Sequence, residues 1–173
     1  MELLKQVLQK NQEYVSKKGK GSNSLETFKN MAILTCMDAR LEEVLPEAMG
    51  IKSGEAVFIK TAGNNLFYGE IRSVMAAIFK LEVTTLFVVG HGDCGMSTWR
   101  LEELKESMLK RGVKKEDIAE YDDIEGWMGC FKDIKENIIS TVEAIRSYSL
   151  TPPDLEIHGL YFDMTTGKLE RIT

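Results

Sequence analysis

The chain has 173 residues, 43% of them hydrophobic and 28% charged, with a net charge of −5. That length suits one domain around a single core, and no apolar run approaches the roughly 18 residues of a membrane span. An acidic balance without a long basic cluster leaves no electrostatic footprint for nucleic acid. Neither a nucleic-acid nor a membrane partner is expected. The first residues, Met1 to Gln6, mix charge with apolar side chains and lack the core of a secretory signal, so a cytoplasmic location is expected. Three cysteines, an odd number, then argue for reduced thiols used in metal binding or catalysis rather than a disulfide framework.

Leu3, Leu4, Val7, Leu8, Tyr14 and Val15 recur near helical spacing, which predicts an amphipathic packing helix over residues 2–16. Lys17 to Ser24 reads as a polar, glycine-bearing loop. Met31 to Thr35 is a short apolar run bounded by polar residues, hence a buried strand, and it hands directly into Cys36. Leu41, Val44, Leu45, Ala48 and Met49 predict a helix that Pro46 shortens or kinks and Gly50 ends. Ala56 to Ile59 is a second strand, followed by a small-residue loop from Lys60 to Asn65. Ile71, Val74, Met75, Ile78 and Phe79 mark a helix leading to a third strand, Thr85 to Val89, which passes through Gly90 into His91.

One further helix is expected from Ser97 to Arg111, closed by Gly112; Lys114 to Trp127 is acidic and weakly periodic, irregular or short-helical. Asp133 to Tyr148 returns to helical spacing through Ile134, Ile138, Val142 and Ile145, and Pro152 with Pro153 ends it. Leu155 to Phe162 is the last long strand, Thr165 to Gly167 a turn, and Lys168 to Ile172 pairs back as a hairpin. The expected fold is α/β: one domain, 1–173, with a mostly parallel central sheet flanked by helices and an antiparallel edge strand near the C-terminus.

Side chains at the carboxyl ends of parallel strands converge in one crevice, which would bring Cys36, His91 and Cys94 together. Two thiolates and an imidazole are good zinc ligands, and three rather than four leave a position open for water, as catalytic zinc does. The plain alternative is that both cysteines are buried small hydrophobes. Asp38 and Arg40, two residues apart, would share a side with Cys36 in extended chain. They form either a structural ion pair or a pair in which Arg40 keeps Asp38 ionised and oriented toward the metal's fourth position.

Gly90, Gly92 and Gly95 also match a G-x-G-x-x-G dinucleotide fingerprint after a strand. That motif needs a following strand with an acidic residue about 20 positions on, and Val113 to Asp123 offers no apolar run to be it. His158, on an apolar strand, is read as a satisfied core residue, and Cys130, with no partner at ligand spacing, as packing.

Cys36-x-Asp38-x-Arg40 followed by His91-x-x-Cys94-Gly95 resembles the β-class carbonic anhydrases, in particular the compact prokaryotic type. Ala62-Gly63-Asn64, Ile71-Arg72-Ser73, Val88-Val89-Gly90-His91, the stretch from His158 to Asp163, and Thr166-Gly167 look like further landmarks, so the likeness runs from about Met31 onward. Ala39 stands where many members have serine, and Lys60-Thr61 where they often have arginine or lysine and asparagine. The resemblance implies zinc on Cys36, His91 and Cys94, with Asp38 and Arg40 catalytic and Gly63 and Gly95 at the substrate. The implied reaction is reversible hydration of carbon dioxide to bicarbonate by zinc-bound hydroxide. Hydrolysis of carbonyl sulfide or carbon disulfide occurs on the same fold, and a non-catalytic zinc or dinucleotide-binding module is the alternative outside enzymes. The family also implies a homodimer or higher homo-oligomer with active sites at the subunit interface, to which helix 2–16 would lend its apolar face.

Overall fold

The parallel strands are built from short apolar runs, the two central ones buried on both faces, as in a sheet covered by helices on each side. In the computed structural model, which describes residues 2–18, 28–66 and 69–173, these are β1 (Met31–Cys36), β2 (Val57–Thr61), β3 (Thr85–His91) and β4 (Glu156–Phe162). A fifth strand, β5 (Leu169–Arg171), pairs antiparallel with β4, and the sheet order is β2-β1-β3-β4-β5. The α/β expectation with its antiparallel edge holds. The predicted loop from Lys17 to Ser24 lies, from residue 19 on, outside the described residues.

The helices among the described residues are α1 (Glu2–Lys18), α2 (Leu41–Ala48), α3 (Ile71–Leu81), α4 (Gly95–Thr98), α5 (Leu101–Lys110), α6 (Lys115–Ala119), α7 (Ile124–Met128) and α8 (Ile134–Ser147). None is long and apolar enough to cross a membrane. On one face of the sheet, α3 and α8 cover Ala32, Leu34, Leu86 and Val88. On the other, Leu41 and Leu45 of α2 pack with Ile33, Val89 and Phe162. The period-2 alternation of strand side chains separates the two layers. Helix α8 starts where the Asp133 carboxylate accepts from the amides of Lys135 and Glu136 at 2.8 and 2.9 Å, an N-cap. It then lies close against the sheet: a Cβ added at Gly90 or at Gly159 would sit 2.7 Å from Ile138. Helix α1, by contrast, keeps Leu3, Leu4, Val7, Leu8 and Val15 exposed.

Two expectations need correction. The single helix from Ser97 to Arg111 is two, α4 and α5, separated by Trp99 and Arg100 in extended conformation. The Ser97 hydroxyl donates to the Cys94 carbonyl at 2.8 Å and the Thr98 hydroxyl to that of Gly95 at 3.2 Å, side-chain bonds that compete with continued helix. The second strand also starts one residue later and runs two residues further, taking Lys60 and Thr61 out of the predicted loop. Lys60 stands in register with Thr35 and Thr61 with Cys36. The stretch from Lys114 to Trp127 is short-helical, and Ile118 and Ile124 pack with Leu104 in a small separate core.

Candidate metal centre

Cys36 ends β1, His91 ends the neighbouring β3, and Cys94 immediately precedes α4. All three are buried, and their ligand atoms lie within 4.8 Å of one another. The two sulfurs are 3.9 Å apart. Zinc–sulfur bonds of about 2.3 Å at a tetrahedral angle place two sulfurs roughly 3.8 Å apart, so the pair fits an edge of such a site. His91 Nδ1 is 2.9 Å from the Gly92 carbonyl, and a carbonyl only accepts, so the hydrogen is on Nδ1. Nε2 is then a lone-pair donor atom, buried and without a hydrogen-bond partner. An orphaned buried nitrogen beside two thiols is what a thiophilic cation satisfies.

The electrostatics agree. Hydrogen bonding with Cys94 pulls the Cys36 thiol down to about 4 against the opposing effect of burial. The Cys36 thiolate and burial push Cys94 up. Burial lowers the His91 imidazole, but attraction to the neighbouring Cys36 thiolate raises it overall. Without a metal the pair holds one negative charge and one proton, and a divalent cation would displace that proton.

Asp38 and Arg40 are paired, though not by sharing a side of an extended strand. The chain turns after Met37, and Arg40 has helical angles at the start of α2 (φ −64, ψ −22). Its backbone amide donates to Asp38 Oδ1 at 2.9 Å. Its guanidinium returns to the same carboxylate, Nε to Oδ1 at 3.0 Å and Nη2 to Oδ2 at 2.7 Å. These hydrogen bonds lower Asp38 to about 2 and raise Arg40. The far edge of the guanidinium reaches Asp93: Nη1 donates to its carboxylate and Nη2 to its carbonyl, both at 2.9 Å.

Cys36, Asp38 and Cys94 open onto a cavity of about 410 Å³ whose walls include Met37, Ala62, Gly95, Met96, Trp99 and Glu103. Gly95 is thus one of the residues lining the cavity. Gly63 does not line it, and its neighbour Ala62 does. Gly63 has φ +64, and a Cβ there would lie 2.6 Å from the Phe131 ring. Its carbonyl accepts from Asn137 of α8 at 2.9 Å, so it shapes the wall from behind.

A family model for carbonic anhydrase matches residues 31–169. The solved β-carbonic anhydrase isoform I of Trichomonas vaginalis is 34% identical, with a TM-score of 0.91 over 99% of this chain and 98% of that one. This chain belongs to the β-carbonic anhydrase family. The Bacillus subtilis protein YtiB is 34% identical over 99% of this chain and 97% of its own length. A more distant relative, 24% identical over 95% of this chain and 86% of its own, is the carbon disulfide hydrolase of an Acidianus species.

Within this β-carbonic anhydrase, the glycines of the apparent dinucleotide motif answer to packing. Gly90 faces Ile138, and a Cβ on Gly92 would lie 2.7 Å from the Tyr161 hydroxyl. Lys60, beside the departure from the family pattern at Thr61, pairs with Glu42 of α2 at 2.6 Å. Cys130 is partly buried and packs in the same core layer as Cys36 and Cys94, where burial raises its thiol. His158 is partly exposed rather than a core residue, with Phe87 beside it and Glu156 3.8 Å away. Sequence reasoning missed Asp93 as the second partner of Arg40; its position just before Cys94 was the only available signal.

Proposed function

We propose that this β-carbonic anhydrase holds one zinc ion on Cys36, His91 and Cys94 and catalyses the reversible hydration of carbon dioxide to bicarbonate. The observation that carries this reading is the buried, partnerless Nε2 of His91 beside two thiols at the edge of a cavity. Zinc, when bound, acidifies water and so supplies a nucleophile for the electrophilic carbon. Two thiolates offset much of the metal's charge, so the pair formed by Asp38 and Arg40 has more to contribute. Asp38, kept ionised by Arg40, would orient the reacting oxygen by accepting its hydrogen bond, and its carboxylate would be free to serve as a further metal ligand were Arg40 to release it. Met37, Ala62, Met96 and Trp99 give the cavity apolar walls, suited to an uncharged substrate; Gly95 leaves room beside Cys94.

Hydrolysis of carbon disulfide or carbonyl sulfide is a second reading, favoured by the Acidianus relative and by the same walls. Metal analysis with stopped-flow assays on carbon dioxide and on carbon disulfide separates the two. Zinc at one equivalent with fast hydration supports the first reading, and turnover of carbon disulfide alone overturns it.

The exposed apolar row of α1 supports a homodimer or higher homo-oligomer in which a second copy covers that row. Light scattering that finds a zinc-loaded, active monomer at micromolar concentration overturns this assembly. Reduced thiols at Cys36, Cys94 and Cys130 suit the cytoplasm.

A further inference from the structure

Arg40 is held on two sides, and the second side has no part in the reading above. Asp38 takes the Nε hydrogen and one Nη2 hydrogen, while Asp93 takes an Nη1 hydrogen through its carboxylate and the other Nη2 hydrogen through its carbonyl. The two aspartates use different donors of one planar fork, so they do not compete for hydrogens. Asp93 accepts through both groups with its backbone left-handed, φ 53, a conformation that residues with a side chain seldom adopt. Asp93 lies between His91 and Cys94, whereas Asp38 follows Cys36. One guanidinium thus fastens the carboxylate beside one ligand to the loop carrying the other two.

We propose that Asp93 is a positioning residue: it pins the Arg40 guanidinium so that Asp38 stays turned away from the metal's fourth position. Arg40 is half exposed; tethered by Asp38 alone, it would swing with that carboxylate instead of restraining it. The inference rests on the zinc reading above.

Cobalt(II)-substituted protein, titrated with azide and read by its visible spectrum, tests it, because a fourth position filled by Asp38 excludes azide. Asp93→Gly removes the carboxylate and accommodates the left-handed backbone, so the fold survives. It is expected to weaken azide binding roughly three- to tenfold with cobalt content unchanged. Asp93→Asn, which keeps a neutral acceptor, is expected to fall between that variant and wild type. In the zinc enzyme kcat falls in the same order. Wild-type azide affinity in Asp93→Gly, or tighter binding, overturns the proposal. A wild-type protein that binds azide normally yet does not hydrate carbon dioxide overturns the functional reading instead, and leaves the azide comparison to judge Asp93.

Discussion

The Gly92 carbonyl accepts the Nδ1 hydrogen of His91 at 2.9 Å, and this bond selects the ring nitrogen that faces the two thiols. A neighbouring peptide group thereby sets the tautomer in advance of any metal. Because ligation then needs all three prepared atoms, Cys94→Ser is expected to lower bound zinc at least tenfold. Elemental analysis after dialysis checks this, and wild-type zinc content would remove Cys94 from the ligand set.

Asp38→Ala and Arg40→Ala are each expected to retain zinc and lose turnover by roughly ten- to a hundredfold. Stopped-flow hydration paired with metal analysis reads both quantities. Two variants with wild-type rates would return the pair to a purely structural role.

The hydrogen bonds from Arg40 depress Asp38 to about 2 in the folded protein, below an unfolded value of about 3.9. A depressed folded pKa means that the stability it contributes is fully present above the unfolded value. It is lost as pH falls through about 2. The activity profile at neutral pH should therefore carry no inflection from Asp38. Urea midpoints of wild type and Asp38→Asn should differ by a constant amount above about pH 5 and converge as pH falls to about 2; a gap unchanged at the acid end would contradict the assignment.

Ile138 fills the space beside both Gly90 and Gly159. Gly90→Ala is expected to cost about 1–3 kcal/mol by overpacking, and Ile138→Ala about 2–5 kcal/mol by leaving a cavity. In the double variant the new methyl occupies part of the vacated volume, so the combined loss should be smaller than the sum. Denaturant unfolding of the four proteins in the cycle measures this, and strict additivity would place the two residues out of contact.

The strands were legible in the sequence because β1 and β3 are apolar runs that stop at polar, chemistry-bearing residues, so Cys36 and His91 could be placed at strand ends. The split between α4 and α5 was not, because Leu101, Leu104 and Met108 keep helical period while the backward bonds of Ser97 and Thr98 leave no mark on periodicity. Lys60 hid the end of β2, since a charged residue reads as loop until Glu42 is known to face it. The pairing of Asp38 with Arg40 followed from proximity in sequence, but its route through a turn did not. Asp93 stayed out of view because its bond to Arg40 joins residues 53 apart.

Cys36 and Cys94 stand 58 residues apart in sequence, and between them the chain crosses the sheet to β2 and back to β3. Their meeting requires the central parallel pairing of β1 with β3 to be complete, so the folded chain alone presents the three donor atoms together. An ion that selects that state shifts the unfolding equilibrium by mass action. The melting temperature should accordingly rise with free zinc concentration, and a chelator should unload a protein that is less resistant to heat as well as inactive.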